Sequence, residues 1–289
     1  MSAELLKSIF HPSDFSEASD IAFVHALKIA LITGARLNML HVAADRAHAF
    51  DKFPSVRAAL ARWHLLPEGS PTSAIANLGI RVGKVIASNE EPVTAALDFL
   101  AGHPADLIVL AVRQREGRMR WIDDRVGEPI ARASGEMTLF IPEGIDGFVS
   151  REDGSVSVRS ILVPIAGKPN PQPAVEAAEI MIRSLELPSG TVTLLHAGPS
   201  TEMPDVAVPS LAGWTVERLA LDGEPVETIL QTAANIGADL IVMATEGPQG
   251  FLDALRGSTS ERVLRRSPCP VVSLPAQQWL SRVRQFWRN

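Results

Sequence analysis

The sequence predicts an α/β chain built as two copies of one parallel-sheet domain, and three observations carry that expectation. Apolar runs of strand length, such as Leu107–Leu110 and Leu240–Met243, are bounded by turn residues, as suits strands buried on both faces. Segments of helical period separate these runs, so parallel strands alternate with crossover helices on both faces of a sheet. A shift of 133 residues also lays Glu91–Ala111 on Glu224–Ala244 with eleven identities in twenty-one positions and no gap.

Each copy reads as β-α-β-(α)-β-α-β-α-β, which gives five strands. In the first, Ser8–Pro12 is a strand, Ser16 is the N-cap of an amphipathic helix over Glu17–Thr33, and Gly34 ends it. Arg36–Val42 is the second strand, and Pro54 opens a helix carrying Val56, Leu60 and Trp63. Ile80–Ser88 is the third strand, Pro92 starts the next helix, and Asp106–Val112 is the buried fourth strand. A helix around Glu128–Ser134 and a strand over Met137–Ile141 close the copy.

In the second copy, Ser160–Pro164 answers Ser8–Pro12, and Leu195-His196 answers Leu40-His41. The stretch from His196 to Glu224 is twenty-two residues shorter than its counterpart and carries Pro199, Pro204 and Pro209, so its second helix is expected to be lost or reduced to a loop. The resulting domains are 1–142 and 159–275. Residues 143–158, with an Asp153-Gly154 turn signal, are a linker with a small hairpin, and 276–289 are a C-terminal helix. Trp279, Leu280, Val283, Phe286 and Trp287 share one face of that helix, which caps its own domain in the simpler reading and meets a second copy in the other.

Composition bounds the function. The chain of 289 residues has 46% hydrophobic and 21% charged residues and a net charge of −6, which argues against a general nucleic-acid binder. No run of eighteen apolar residues and no signal-peptide layout stand in the sequence, so no membrane association and a cytoplasmic place are the expectations. The single Cys269 allows no internal disulfide and reads as a packed apolar residue.

One stretch carries chemistry. After the strand ending at Met243-Ala244 come Gly247 and Gly250, and then Gly257-Ser258-Thr259-Ser260 runs into the periodic segment ERVLRR. Glycines let an anion approach the backbone, and a helix's first turn offers free N–H groups and partial positive charge. The order strand, glycine loop, helix start therefore suits a phosphate, although an ordinary strand-to-helix turn has the same outline.

The spacing narrows this. From Ala244, two residues to Gly247 and nine to Gly257-Ser258, it resembles the G-x2-G-x9-G-S/T signature of ATP-binding universal stress proteins, with Ala244 in place of the first glycine. Pro12-Ser13-Asp14 after the first strand and ERVLRRSPCPVV at the end resemble the same family, and the likeness spans all but the linker and the tail. It implies two flavodoxin-like (Rossmann-like) domains of five parallel strands each, with ligand bound beyond the C-terminal strand ends. It also implies that Thr138–Ile141 pairs with Val271–Leu274, making an intramolecular pseudo-dimer about a pseudo-two-fold axis; a homodimer is the other assembly left open.

Carried over by position, the resemblance places a nucleotide site in the second copy, at Pro164, Ile165, Ala166, Ala197, Met243, Ala244, Gly247, Gly250, Gly257, Ser258, Thr259 and Ser260. The expected cofactor is ATP or a related adenine nucleotide, with Mg as its companion. The first copy keeps Pro12, Ser13 and Asp14 as a vestigial site, but Gln114, Asp124 and Arg125 replace the loop glycines and serine, and an Asp at a helix start repels phosphate. The second copy has Ala166 where the family has an aspartate.

No catalytic residues and no metal ligands stand out. His41 and His196 at matching strand ends, His11 near Asp14, and Asp123-Asp124 each have a simpler structural reading than a catalytic or cation-binding one. The expected role is a stress-response protein that binds nucleotide and acts through protein partners. A ligand-free scaffold and a slow ATPase are the alternatives.

Overall fold

The computed structural model describes residues 6–43, 49–88, 91–113, 120–121, 127–246, 259–277 and 279. The chain divides into two compact units, residues 1–134 with 143–157, and residues 135–142 with 158–289. The last strand of the first copy thus counts with the second unit, and the segment after it with the first.

The first unit contains β1 (Ser8–Pro12), α1 (Glu17–Thr33), β2 (Arg36–Val42), α2 (Val56–Arg62), β3 (Arg81–Ala87), α3 (Pro92–Gly102), β4 (Leu107–Arg113), a two-residue β5 (Arg120–Trp121) and α4 (Gly127–Ser134). Its sheet order is β3-β2-β1-β4, all parallel, with β5 antiparallel on β4. Ile108, Val109 and Leu110 of β4 are fully buried, as their unbroken apolar run requires. Ser16 Oγ accepts from the Ser19 N–H and Gly34 is left-handed at φ 67°, which sets both ends of α1. The helix α2 begins two residues beyond Pro54, at Val56, because the Ser55 hydroxyl caps it by accepting from the Ala58 N–H.

The second unit contains β6 (Thr138–Pro142), β7 (Ser160–Pro164), α5 (Gln172–Ser184), β8 (Gly190–Ala197), β9 (Trp214–Leu221), α6 (Pro225–Asn235), β10 (Leu240–Thr245), α7 (Thr259–Arg266) and β11 (Val271–Pro275). The order is β6-β11-β10-β7-β8-β9, parallel except that β6 runs antiparallel to β11 with Leu139 opposite Val272. Between β8 and β9 stands a short 3-10 turn (Ser200–Glu202) and an extended segment where the first copy has a helix. Gln172 holds that segment in place, donating to the Ala207 carbonyl at 3.2 Å and accepting from the Ala207 N–H at 2.8 Å.

The identities that reveal the repeat have physical causes. Asp106 accepts from the N–H groups of Lys7 and Ser8 at 2.8 and 3.0 Å, and Asp239 from those of Arg159 and Ser160 at 2.7 and 2.9 Å. In both copies the carboxylate before the fourth strand fixes the entry of the first strand. Glu91 caps α3 through the N–H groups of Val93 and Thr94, and Glu224 caps α6 through that of Glu227, each followed by a proline in the first helical turn.

The residue pattern predicts an amphipathic α1, but the helix is buried on nearly all sides. The reason is residues 143–157, which fold back as a strap with a Val149–Val156 bridge. His25 of α1 donates from Nδ1 to the Ile21 carbonyl at 2.8 Å and accepts on Nε2 from the N–H groups of Phe148 and Val149 at 3.0 and 3.2 Å. Gly147, at φ 70°, lets the strap come this close, since a Cβ there would lie 2.4 Å from His25 Nε2. Arg151 pairs with Asp20, and the Trp63 indole donates to the Arg151 carbonyl.

Candidate functional site

In the second unit the order places β7 beside β10 at the sheet's centre, with their loops leading to opposite sides. This is the switch point at which doubly wound sheets form a crevice beyond the strand ends. Pro164 ends β7. The Ile165 N–H donates to the Leu195 carbonyl at 2.7 Å, so Ile165 is buried, and Ala166 is exposed. Ala197 ends β8, and Met243 and Ala244 lie on β10, which ends at Thr245. Thr259 is the first residue of α7, exposed, and Ser260 is half-buried behind it. These residues share one edge of the sheet. Gly247, Gly250, Gly257 and Ser258 lie outside the described residues.

His196, the penultimate residue of β8, donates from Nδ1 to the Ile165 carbonyl at 3.1 Å. Its Nε2 is buried and finds no hydrogen-bond partner among the described residues. At the far end of α7, Arg265 pairs with the buried Glu261 and Arg266 with Glu227, which holds the helix against α6.

The matching crevice of the first unit is differently made. Ser13 donates its N–H to the Leu40 carbonyl at 2.9 Å and accepts from His41 Nδ1 on its own carbonyl at 2.7 Å, a local copy of the Ile165–His196 bond. Phe15 follows Asp14 in a left-handed conformation, φ 61°, and lays its ring on His41 with centroids 3.8 Å apart. Phe53 meets Phe15 edge-on at 5.1 Å, and Lys84 reaches over Phe53 and Phe50 at 5.5 and 6.0 Å. Burial, and then Arg57, lowers the Lys84 pKa. The Asp14 carboxylate accepts from the Ser16 N–H at 2.9 Å and so shapes the turn into α1. Gln114, Asp123, Asp124 and Arg125 lie outside the described residues.

The remaining candidates have structural work. His11 is fully buried, with Nδ1 donating to the Val109 carbonyl at 2.9 Å and Nε2 3.4 Å from the Ser19 hydroxyl, which meets that of Ser13 at 2.9 Å. Burial lowers its pKa, so it stays neutral. Cys269 is buried beside Ser267, and burial pushes its thiol up to about 12, so it packs and does not react. Among the described residues no three of His, Cys, Asp and Glu cluster as a metal site, and no helix is long and apolar enough to cross a membrane. Phe15, whose counterpart by register is Gly167, is absent from the residues expected at the site. The signal was there, because Pro12-Ser13-Asp14-Phe15 aligns with Pro164-Ile165-Ala166-Gly167.

Comparison with known proteins agrees with this geometry. The universal stress protein family model matches residues 6–142 and 210–275. A universal stress protein of Thermus aquaticus is 45% identical over 56 residues, covering 19% of this chain and 41% of its own length. One from Methanocaldococcus jannaschii is 44% identical over 52 residues, covering 18% of this chain and 31% of its own. The chain thus spans less than half of the length of these relatives. In three dimensions, a universal stress protein from Archaeoglobus fulgidus is similar over 96% of this chain and 100% of its own, with a TM-score of 0.60 and 19% identity. A functionally unknown protein from Pseudomonas aeruginosa PAO1 is similar over the full length of both chains, with a TM-score of 0.61 and 15% identity. With the family model matching most of its length in both halves, the chain belongs to the universal stress protein family.

Proposed function

We propose that the second repeat binds ATP or a related adenine nucleotide and that the protein acts through partner contacts that change with it. The observation that carries this reading is the position of the glycine-serine loop. Its two ends are anchored by Ala244 near the end of β10, beside β7 at the switch point, and by Thr259 at the start of α7. Backbone N–H groups and the hydroxyls of Ser258, Thr259 and Ser260 would meet the phosphates there. Mg would come with the phosphates, since the described residues around the crevice supply no carboxylate cluster.

The first repeat supports the assignment by contrast. Phe15 occupies the approach to His41, and Asp14 is engaged in its own turn, which favours the second crevice for the nucleotide. Isothermal titration and thermal shift with ATP, ADP and AMP test the reading. Binding should vanish on Gly257→Trp combined with Ser258→Ala and survive Asp14→Ala. Neither heat nor a shift at millimolar nucleotide would remove it, and loss of binding on Asp14→Ala would move the site to the first repeat.

A further inference from the structure

We infer that His196 Nε2 is the acceptor for a hydrogen-bond donor on the phosphate-free end of the ligand, taking over the part left by the missing carboxylate at Ala166. The inference rests on the nucleotide reading above and adds a residue to it.

The tautomer is fixed by geometry. His196 Nδ1 faces a carbonyl, that of Ile165, at 3.1 Å, so this nitrogen carries a proton, and in the neutral ring Nε2 presents a bare lone pair. The residue is 7% exposed, and Nε2 has no partner among the described residues. A buried acceptor without a donor costs free energy comparable to a lost hydrogen bond, which a ligand's N–H or O–H would restore.

The position suits such a donor. His196 is anchored to the loop after β7 and its Nε2 faces the loop after β8, where Gly198 closes over the nitrogen without a side chain; a Cβ there would stand 3.0 Å away. The strand order β10-β7-β8 puts His196 two strand spacings, roughly 10 Å, from the strand that feeds the glycine loop. That is the reach from the phosphates of a nucleotide to its sugar and base. An anion would find nothing there, because a lone pair attracts donors.

The two repeats differ at this point. In the first, Phe15 covers the ring of His41 at 3.8 Å. In the second, the corresponding residue is Gly167, where an added Cβ would meet nothing within 4 Å, and Ala166 before it is exposed. The second repeat therefore leaves open the position that Phe15 fills in the first, and behind it the buried Nε2 of His196 lies under Gly198.

The donor is an exocyclic amine of the base or a hydroxyl of the ribose, and analogues separate the two. Wild-type protein with ¹⁵N-labelled histidine is titrated with MgATP, with Mg purine riboside triphosphate, which lacks the amine, and with Mg 2′-deoxy-ATP. The same nucleotides are titrated into His196→Asn, which keeps an N–H for the Ile165 carbonyl and removes Nε2. The Nε2 resonance should move upon ATP binding, and His196→Asn should weaken ATP about tenfold. That loss should disappear with whichever analogue lacks the donor. Gly167→Phe, at an open position, should block ATP as Phe15 blocks the first repeat.

If ATP binds while Nε2 stays unmoved and His196→Asn binds equally well, an internal water satisfies the nitrogen and the inference fails alone. Absence of ATP binding to wild-type protein would overturn both it and the nucleotide reading. Because the resonance is read in the wild type, an unfolded variant cannot decide the outcome.

Discussion

Protonating His25 should unclasp the strap from the first unit. His25 is fully buried, its Nδ1–H is given to Ile21, and its Nε2 receives two strap N–H groups, so the folded state has room only for the neutral ring. Burial, the largest cause, lowers its pKa from 6.5 to about 4, against a smaller rise from the Ile21 bond. The sign follows from linkage: the unfolded chain takes up the proton first, so the stabilisation is full above pH 6.5 and is lost as the pH falls toward 4. The drop in pKa corresponds to roughly 3 kcal/mol between the two protonation states, comparable to several ordinary hydrogen bonds.

Two readouts check this. Ring NMR should show His25 neutral down to about pH 4, and the indole N–H of Trp63, which donates to Arg151 of the strap, should lose protection from exchange in the same range. His25→Leu should expose the Trp63 indole already at pH 7.5 and remove its pH dependence between 6.5 and 4. The difference between wild type and variant isolates His25 from His11, whose pKa burial also lowers. A His25 titration near 6.5, or the same pH dependence in the variant, would refute the reasoning.

Further expectations concern the repeat and the lone thiol. Asp106→Ala and Asp239→Ala each leave two strand-entry N–H groups without their carboxylate, and should cost about 1–3 kcal/mol in chemical denaturation of the respective unit. Equal stability after either change would show that the pairs are incidental. Cys269 should resist a thiol reagent at pH 8 in the folded protein and react at once in urea, since burial holds the thiol up at about 12. Fast labelling of the native chain would contradict its packing.

The repeated elements were legible because their signals are local. Apolar runs, the Ser16 cap, Gly34 and the prolines after Glu91 and Glu224 each act within a few residues, and the structure has them where the pattern puts them. The antiparallel edge of β6 on β11 came only through family resemblance, because a strand buried on both sides reads alike in either direction. The strap escaped because its contacts join residues 88 to 131 positions apart, and a histidine inside an apolar helix gives no hint of the backbone that will meet it. Glu91 and Glu224 were missed as caps because glutamate is outside the usual capping set, although its carboxylate suits the positive end of a helix. The strand-end residues of the crevice came only through the family resemblance, carried over by position. His196 as an acceptor required the atomic geometry, since the sequence shows the same histidine in both repeats.

The most direct test is to map ATP onto the backbone by amide NMR shifts. Perturbations should fall on residues 164–167, 196–198 and 244–260 and leave the turn from Pro12 to Ser16 unchanged. Shifts centred on Asp14 and His41 instead, or none at millimolar ATP, would contradict a nucleotide site in the second repeat.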